Sequence, residues 1–266
     1  QSAADNLVPG ESVYDWDIFV HDRLTGMTEM VSVSNSGEYG NSDSLFPVMS
    51  ADGRFVAFES RATNLDGPNP NNQAASFVHD RQLRTTRRYP GGVGALSGDG
   101  RYAAMTSYDP NLIPDDTHGG GDVFVYDSLT GAIERVSISS SGVQADRDAF
   151  QPSISLDGRY VSFNSRATTL GDDDPDGYYF DMFVHDRVTG ETSRVTVKDD
   201  GSDFSSTDLQ RSGISGDGRF IFFDRSYDIY VRDWQRHHTA LVSVSTSGEP
   251  ANYGCRFPAI STDGRV

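Results

Sequence analysis

The sequence predicts an all-β fold, a five-bladed β-propeller of four-stranded antiparallel blades whose last blade is closed by both termini. Three observations carry this expectation. The tripeptide Asp-Gly-Arg recurs five times, at Asp52, Asp99, Asp157, Asp217 and Asp263, each time after a short segment of small and apolar residues. A second marker, an apolar run ending in aspartate, recurs at 17–22, 76–80, 122–127, 181–186 and 228–233 and alternates strictly with the first. No stretch spaces its apolar residues by three and four over a dozen positions, so no helix is expected. Self-similarity at a period of roughly 50 residues marks propellers and related arrays.

Each unit resolves into four short strands by alternation and turn chemistry. Strand A is expected over 46–50, and Asp52-Gly53 makes a tight hairpin in which glycine supplies the positive φ. Strand B follows over 54–60, strand C is placed at 122–127 in the next unit, and a turn at 128–131 leads to strand D over 133–138. The repeats run approximately 17–74, 75–121, 122–180, 181–227 and 228–266 with 1–16, all within one domain spanning 1–266. Residues 1–7 align with 59–65, the end of a strand B with no strand A before it. Residues 257–266 supply a strand A and a hairpin that stop where strand B should run. The halves match, so the fifth blade is expected to form from both ends, which removes free sheet edges. Residues equivalent to 56–58 are missing at that junction, as expected of a trimmed chain or a window on a longer array.

Composition narrows the function classes. The formal charge is −17, and Lys198 is the one lysine among 22 basic residues, so no basic face exists to track a phosphate backbone. Nucleic acid is excluded as an expected partner; an acidic surface suits cations, basic partners or simple solubility. The single cysteine, Cys255, excludes an intramolecular disulfide and a multi-cysteine zinc site. No apolar run approaches the ~20 residues of a membrane-spanning helix. The chain begins with Gln1. The expected location is extracellular or periplasmic, with a signal peptide already removed.

The segment 155–163 (SLDGRYVSF), with 50–58 (SADGRFVAF) beside it and DVFVYD at 122–127, resembles the WD40-like propeller repeat of the TolB type. The resemblance covers nearly the whole chain. It implies a propeller fold, found among periplasmic interaction proteins, propeller domains of peptidases and secreted bacterial proteins. The sequence differs from TolB in carrying five copies rather than six, with no separate N-terminal domain ahead of them.

In a propeller, the A–B and C–D turns share one face and the B–C and D–A loops the other. The A–B and C–D turns are short here, whereas loops such as 167–180 and 139–149 are long and polar. Binding is expected on the long-loop face. Around its axial funnel, Phe46, Gln151, Arg211 and Phe257 occupy one ring, and Phe150, Gln210 and Arg256 the next. Aromatics and guanidiniums at such positions suit a carbohydrate or protein ligand. Asp43, Asp148 and Asp208 share one repeat position; they are candidates for the acid and base of a glycosidase-like hydrolase, or for caps on the D–A loops. Asp172, Asp174 and Asp176 alternate before Gly177, which opens like a calcium loop, with Asp181 as a further ligand. The twelfth position is Phe183 rather than glutamate, so this is not an EF-hand, and a solvated acidic loop is the other reading. The strand C aspartates, present in every copy, are expected to accept turn amides. His21, His79 and His185 share one position and are read as packing residues, and no nucleophile elbow exists. A non-catalytic binding propeller is therefore the leading expectation, with the hydrolase and a structural scaffold as alternatives.

Overall fold

A computed structural model describes the chain except for residues 10–14, 68, 70–72, 118, 172–178, 203, 205–210, 226, 256–257 and 265–266. Among the described residues every regular element is a strand. A two-stranded sheet comes first, β1 (Phe19–His21) and β2 (Thr28–Met30). Blade one is β3 (Ser44–Met49), β4 (Phe55–Ser60), β5 (Ala75–Asp80) and β6 (Thr85–Tyr89). Blade two is β7 (Gly92–Leu96), β8 (Tyr102–Ser107), β9 (Asp122–Asp127) and β10 (Ile133–Arg135). Blade three is β11 (Ala149–Ile154), β12 (Tyr160–Ser165), β13 (Asp181–Asp186) and β14 (Glu191–Arg194). Blade four is β15 (Ser212–Ile214), β16 (Phe220–Arg225), β17 (Asp228–Asp233) and β18 (His238–Leu241). Within each blade the strands pair antiparallel in chain order.

The middle strands of each blade carry the core because neighbouring blades cover both of their faces. They therefore read as apolar runs rather than clean alternations. Phe58 lies opposite Phe77, Phe163 opposite Phe183 and Phe223 opposite Tyr230 in register, all but Tyr230 almost fully buried. The rings of Phe58 and Phe77 stack with centroids 6.0 Å apart, and those of Phe163 and Phe183 at 5.9 Å.

The Asp-Gly-Arg turns join blade to blade. A Cβ on Gly100, Gly158 or Gly218 would meet the ring of Phe55, Tyr102 or Tyr160 in the preceding blade at 2.1, 2.3 and 2.3 Å, so only glycine fits. These glycines also hold φ of 69°, 74° and 75°, the left-handed region glycine enters freely. Backbone hydrogen bonds follow the same route: Gly98 N–H donates to Leu156 O and Leu156 N–H to Gly216 O, both at 2.8 Å. Each motif arginine turns back into its own blade. Arg54, Arg101 and Arg159 grip Asp80, Asp127 and Asp186 with two hydrogen bonds apiece, 2.6 to 3.1 Å long, and Arg219 grips Asp233.

Strand A of blade one ends at Met49 and strand B begins at Phe55, each one residue inside expectation, and two bounds differ by more. Strand D of blade two ends at Arg135, because Ser137 leaves the ladder to donate its hydroxyl to Asp122 at 2.6 Å and to accept the Val123 amide at 3.1 Å. The same hydroxyl latch recurs at Ser32 on Asp17 and Thr196 on Asp181. Strand A of blade one begins at Ser44 rather than at 46, extended across a bulge.

Candidate functional site

Pairing in the first strand slips between Leu45 and Val48 in blade one and between Phe150 and Ser153 in blade three. The residues at the slip, Phe46 and Gln151, each precede a proline, which disfavours the right-handed helical region. They adopt φ of 54° and 53° instead, a left-handed bulge conformation uncommon outside glycine. The bulge turns these side chains out of the sheet: Phe46 is 67% exposed. Its amide is held by Gln1 Oε1 at 2.8 Å. Gln151 accepts the Nδ2–H of buried Asn164 at 2.9 Å, and Asn164 Oδ1 accepts the hydroxyl of Ser212 at 2.7 Å, tying blade three to blade four. Arg211, at the equivalent position in blade four, is exposed, while its amide donates to Asp224 Oδ1 at 2.7 Å. Phe150 packs edge-on against Phe180 at 4.8 Å, and the Arg166 guanidinium covers that ring at 3.9 Å.

Two clefts share Glu59 and Ala74 on the long-loop face. One, of about 210 Å³, runs past Asp43, Phe46 and Arg61. The other, of about 270 Å³, runs between blades one and two past Arg88, Gly92 and Tyr108. The Glu59 carboxylate lines both, and each carries one exposed aromatic, Phe46 in the first and Tyr108 in the second; we treat the adjoining pair as one groove.

Glu59, Arg61 and Tyr108 were not among the residues expected from sequence. The signal for Glu59 lies in the repeat: the penultimate residue of strand B is polar in every described blade, as Glu59, Thr106, Asn164 and Asp224. These positions lie directly behind the strand A ring, opposite Leu45, Gly92 and Phe150 in blades one to three.

Of the candidate catalytic carboxylates, Asp43 accepts the Trp16 amide at 2.9 Å and Asp148 the Gly121 amide at 3.0 Å. Both therefore latch a strand A to the start of the preceding strand C. Asp208 lies outside the described residues, as do Gln210, Arg256 and Phe257 of the ligand ring. Asp172, Asp174 and Asp176 of the calcium loop also lie outside them. Asp181, expected beside them as a calcium ligand, is buried between the guanidiniums of Arg194 and Arg225, each at 3.3 Å, with Thr196 donating at 2.6 Å. Among the described residues no three His, Cys, Asp or Glu side chains gather as a metal site. His21, His79 and His185 hydrogen-bond Thr28, Thr86 and Thr192 at 2.8 to 2.9 Å; burial lowers the pKa of His79 and His185.

No protein-family model matches the chain, and no curated protein sequence matches it. Solved structures do. TolB from Acinetobacter baumannii superposes with a TM-score of 0.52 at 16% identity, over 93% of this chain and 57% of that one. A structure assigned as TolB from Agrobacterium tumefaciens gives 0.50 at 16% identity, over 81% and 69%. The chain thus spans a little over half the length of the first, and the likeness is one of fold.

Proposed function

We propose that this chain, a propeller with the TolB-type fold, is a non-catalytic binding module that engages a protein or carbohydrate ligand on its long-loop face. The observation that supports it is Phe46, a bulky residue held at φ 54° and 67% exposed beside Glu59 and Arg61. Backbone strain of this kind costs about 1–3 kcal/mol and persists where the surrounding structure imposes it, often at ligand clamps. An exposed aromatic repays none of that cost by packing. Phe46 and Tyr108 offer stacking faces, and Glu59, Arg61 and Arg88 offer hydrogen bonds that fix orientation.

The same reading includes a ring of five blades with both termini in the last. Ser2 bridges Asp17 as Ser60 bridges Ala75, and Asp217 N–H donates to Thr262 O at 2.9 Å much as Leu156 N–H donates to Gly216 O. It also places the protein outside the cytoplasm. No helix among the described residues is long and apolar enough to cross a membrane.

The test is a glycan array and a peptide library, followed by Phe46→Ala and Tyr108→Ala on each hit. Affinity should fall at least about tenfold in both variants with the fold retained. Full-strength binding by both would remove the groove as the site.

A further inference from the structure

On the opposite, short-turned face, the residue after the strand C aspartate plugs the seam between its own blade and the preceding sheet at three positions, Arg81, Arg187 and Trp234. Arg81 donates Nη1–H to the Gly53 carbonyl at 2.5 Å and pairs through Nε with Glu29 of the preceding sheet, also at 2.5 Å. Arg187 donates to the Gly158 carbonyl at 2.6 Å, pairs with Glu134 of blade two at 2.9 Å and lies 4.4 Å over the Tyr102 ring. Trp234 donates Nε1–H to the Gly218 carbonyl at 2.9 Å and packs edge-on against Tyr160 at 5.5 Å. The plug follows the strand D residue of the preceding sheet that faces the valine two before that sheet's strand C aspartate: arginine where that residue is Glu29 or Glu134, tryptophan where it is Ser193.

The seam between blades one and two breaks the series. The plug position is Ser128, too short to fill the seam, which it crosses only to hydrogen-bond the buried Tyr89 hydroxyl, whose pKa burial pushes up to about 12. The partner position, opposite Val78, is Arg87 in place of glutamate. What remains is a cleft of about 350 Å³ over Phe55 and Val78, rimmed by exposed Leu83 and Leu129, with Arg87 in its wall. Ligand clefts begin at about 300 Å³.

We propose that this cleft is a second binding site that takes a tryptophan side chain of a partner peptide, with an acidic residue next to it. The indole fills the place Trp234 fills two seams over, edge-on to Phe55 as Trp234 is to Tyr160, with its N–H directed at the Gly100 carbonyl, the counterpart of Gly218. Arg87 selects the neighbouring carboxylate and repels an arginine plug. The site lies on the face opposite the groove at Phe46 and does not depend on it.

The probes are acetylated, amidated Asp-Trp and Arg-Trp dipeptides, with affinity read by NMR titration. Asp-Trp should bind at least tenfold more tightly than Arg-Trp, and Arg87→Glu, a surface change that leaves the fold intact, should invert that order. Ser128→Trp should abolish binding by filling the seam, whereas Phe46→Ala should leave it unchanged. Equal affinity for the two dipeptides, no binding of either, or an Arg87→Glu variant with the parent's preference would overturn the proposal. Indole-3-acetate binding as tightly as Asp-Trp would overturn the peptide as the ligand.

Discussion

The glycine of the Asp-Gly-Arg turn in blades two, three and four meets two demands, a left-handed backbone and a ring of the preceding blade against its missing side chain. Gly158→Ala violates both, and urea unfolding should register a loss of about 2–5 kcal/mol, the sum of the left-handed penalty and overpacking. Gly131→Ala, at φ 77° with nothing within 4 Å of its Cβ, violates only the first and should cost about 1–2 kcal/mol. The arginine of the same turn acts on acid stability. Its two hydrogen bonds hold the Asp186 carboxyl down at about 2. A carboxylate depressed in the fold contributes stability that is full above its unfolded value and is lost as pH falls through the folded one. Melting temperature should therefore drop between about pH 4 and pH 2, and less steeply in Arg159→Gln. Both residues of this pair were visible as repeat markers, yet their partnership was not. They stand 27 positions apart in chain order, and the aspartate's turn amides alone accounted for its recurrence.

At the scale of the element, strand identity was legible because short apolar runs bounded by the same turn residues recur in every repeat. The bulge was not, since Leu45-Phe46-Pro47-Val48 is one unbroken apolar run that marks no interruption of the strand. The proline after Phe46 and after Gln151 was the available signal, because a central strand rejects it. A strained, exposed Phe46 predicts an unusual trade. Phe46→Gly should relieve the left-handed penalty and leave stability within about 1 kcal/mol of the parent or above it. Ligand affinity should fall all the same, and calorimetry on one preparation reads both.

Over the whole molecule, the repeat itself announced the architecture, because each blade buries its faces only against a neighbour and so each copy keeps the same apolar pattern. The groove was harder to read. Phe46, Glu59 and Tyr108 come from two blades, and only sheet register and the glycine-lined seam bring them to one face. The turn-to-turn backbone bonds predict how the last segment contributes. Deleting residues 258–266 removes the acceptor at Thr262 and the glycine that lies on Phe220, Gly264. The melting temperature should fall by roughly 5–10 °C, with amide exchange accelerated in β15 to β18 before β7 to β10.

The ring-on-glycine contact has a further consequence, for how such molecules lengthen and shorten over generations. Blades one to four each present a ring to the turn glycine of the unit that follows, Phe55 to Gly100, Tyr102 to Gly158, Tyr160 to Gly218 and Phe220 to Gly264, so the joint is head-to-tail and of one kind at these seams. A duplicated or lost unit therefore arrives with both halves of its joint already made. Copy number can change by whole units without inventing a new contact, and what limits it is the angle through which successive units turn before they meet.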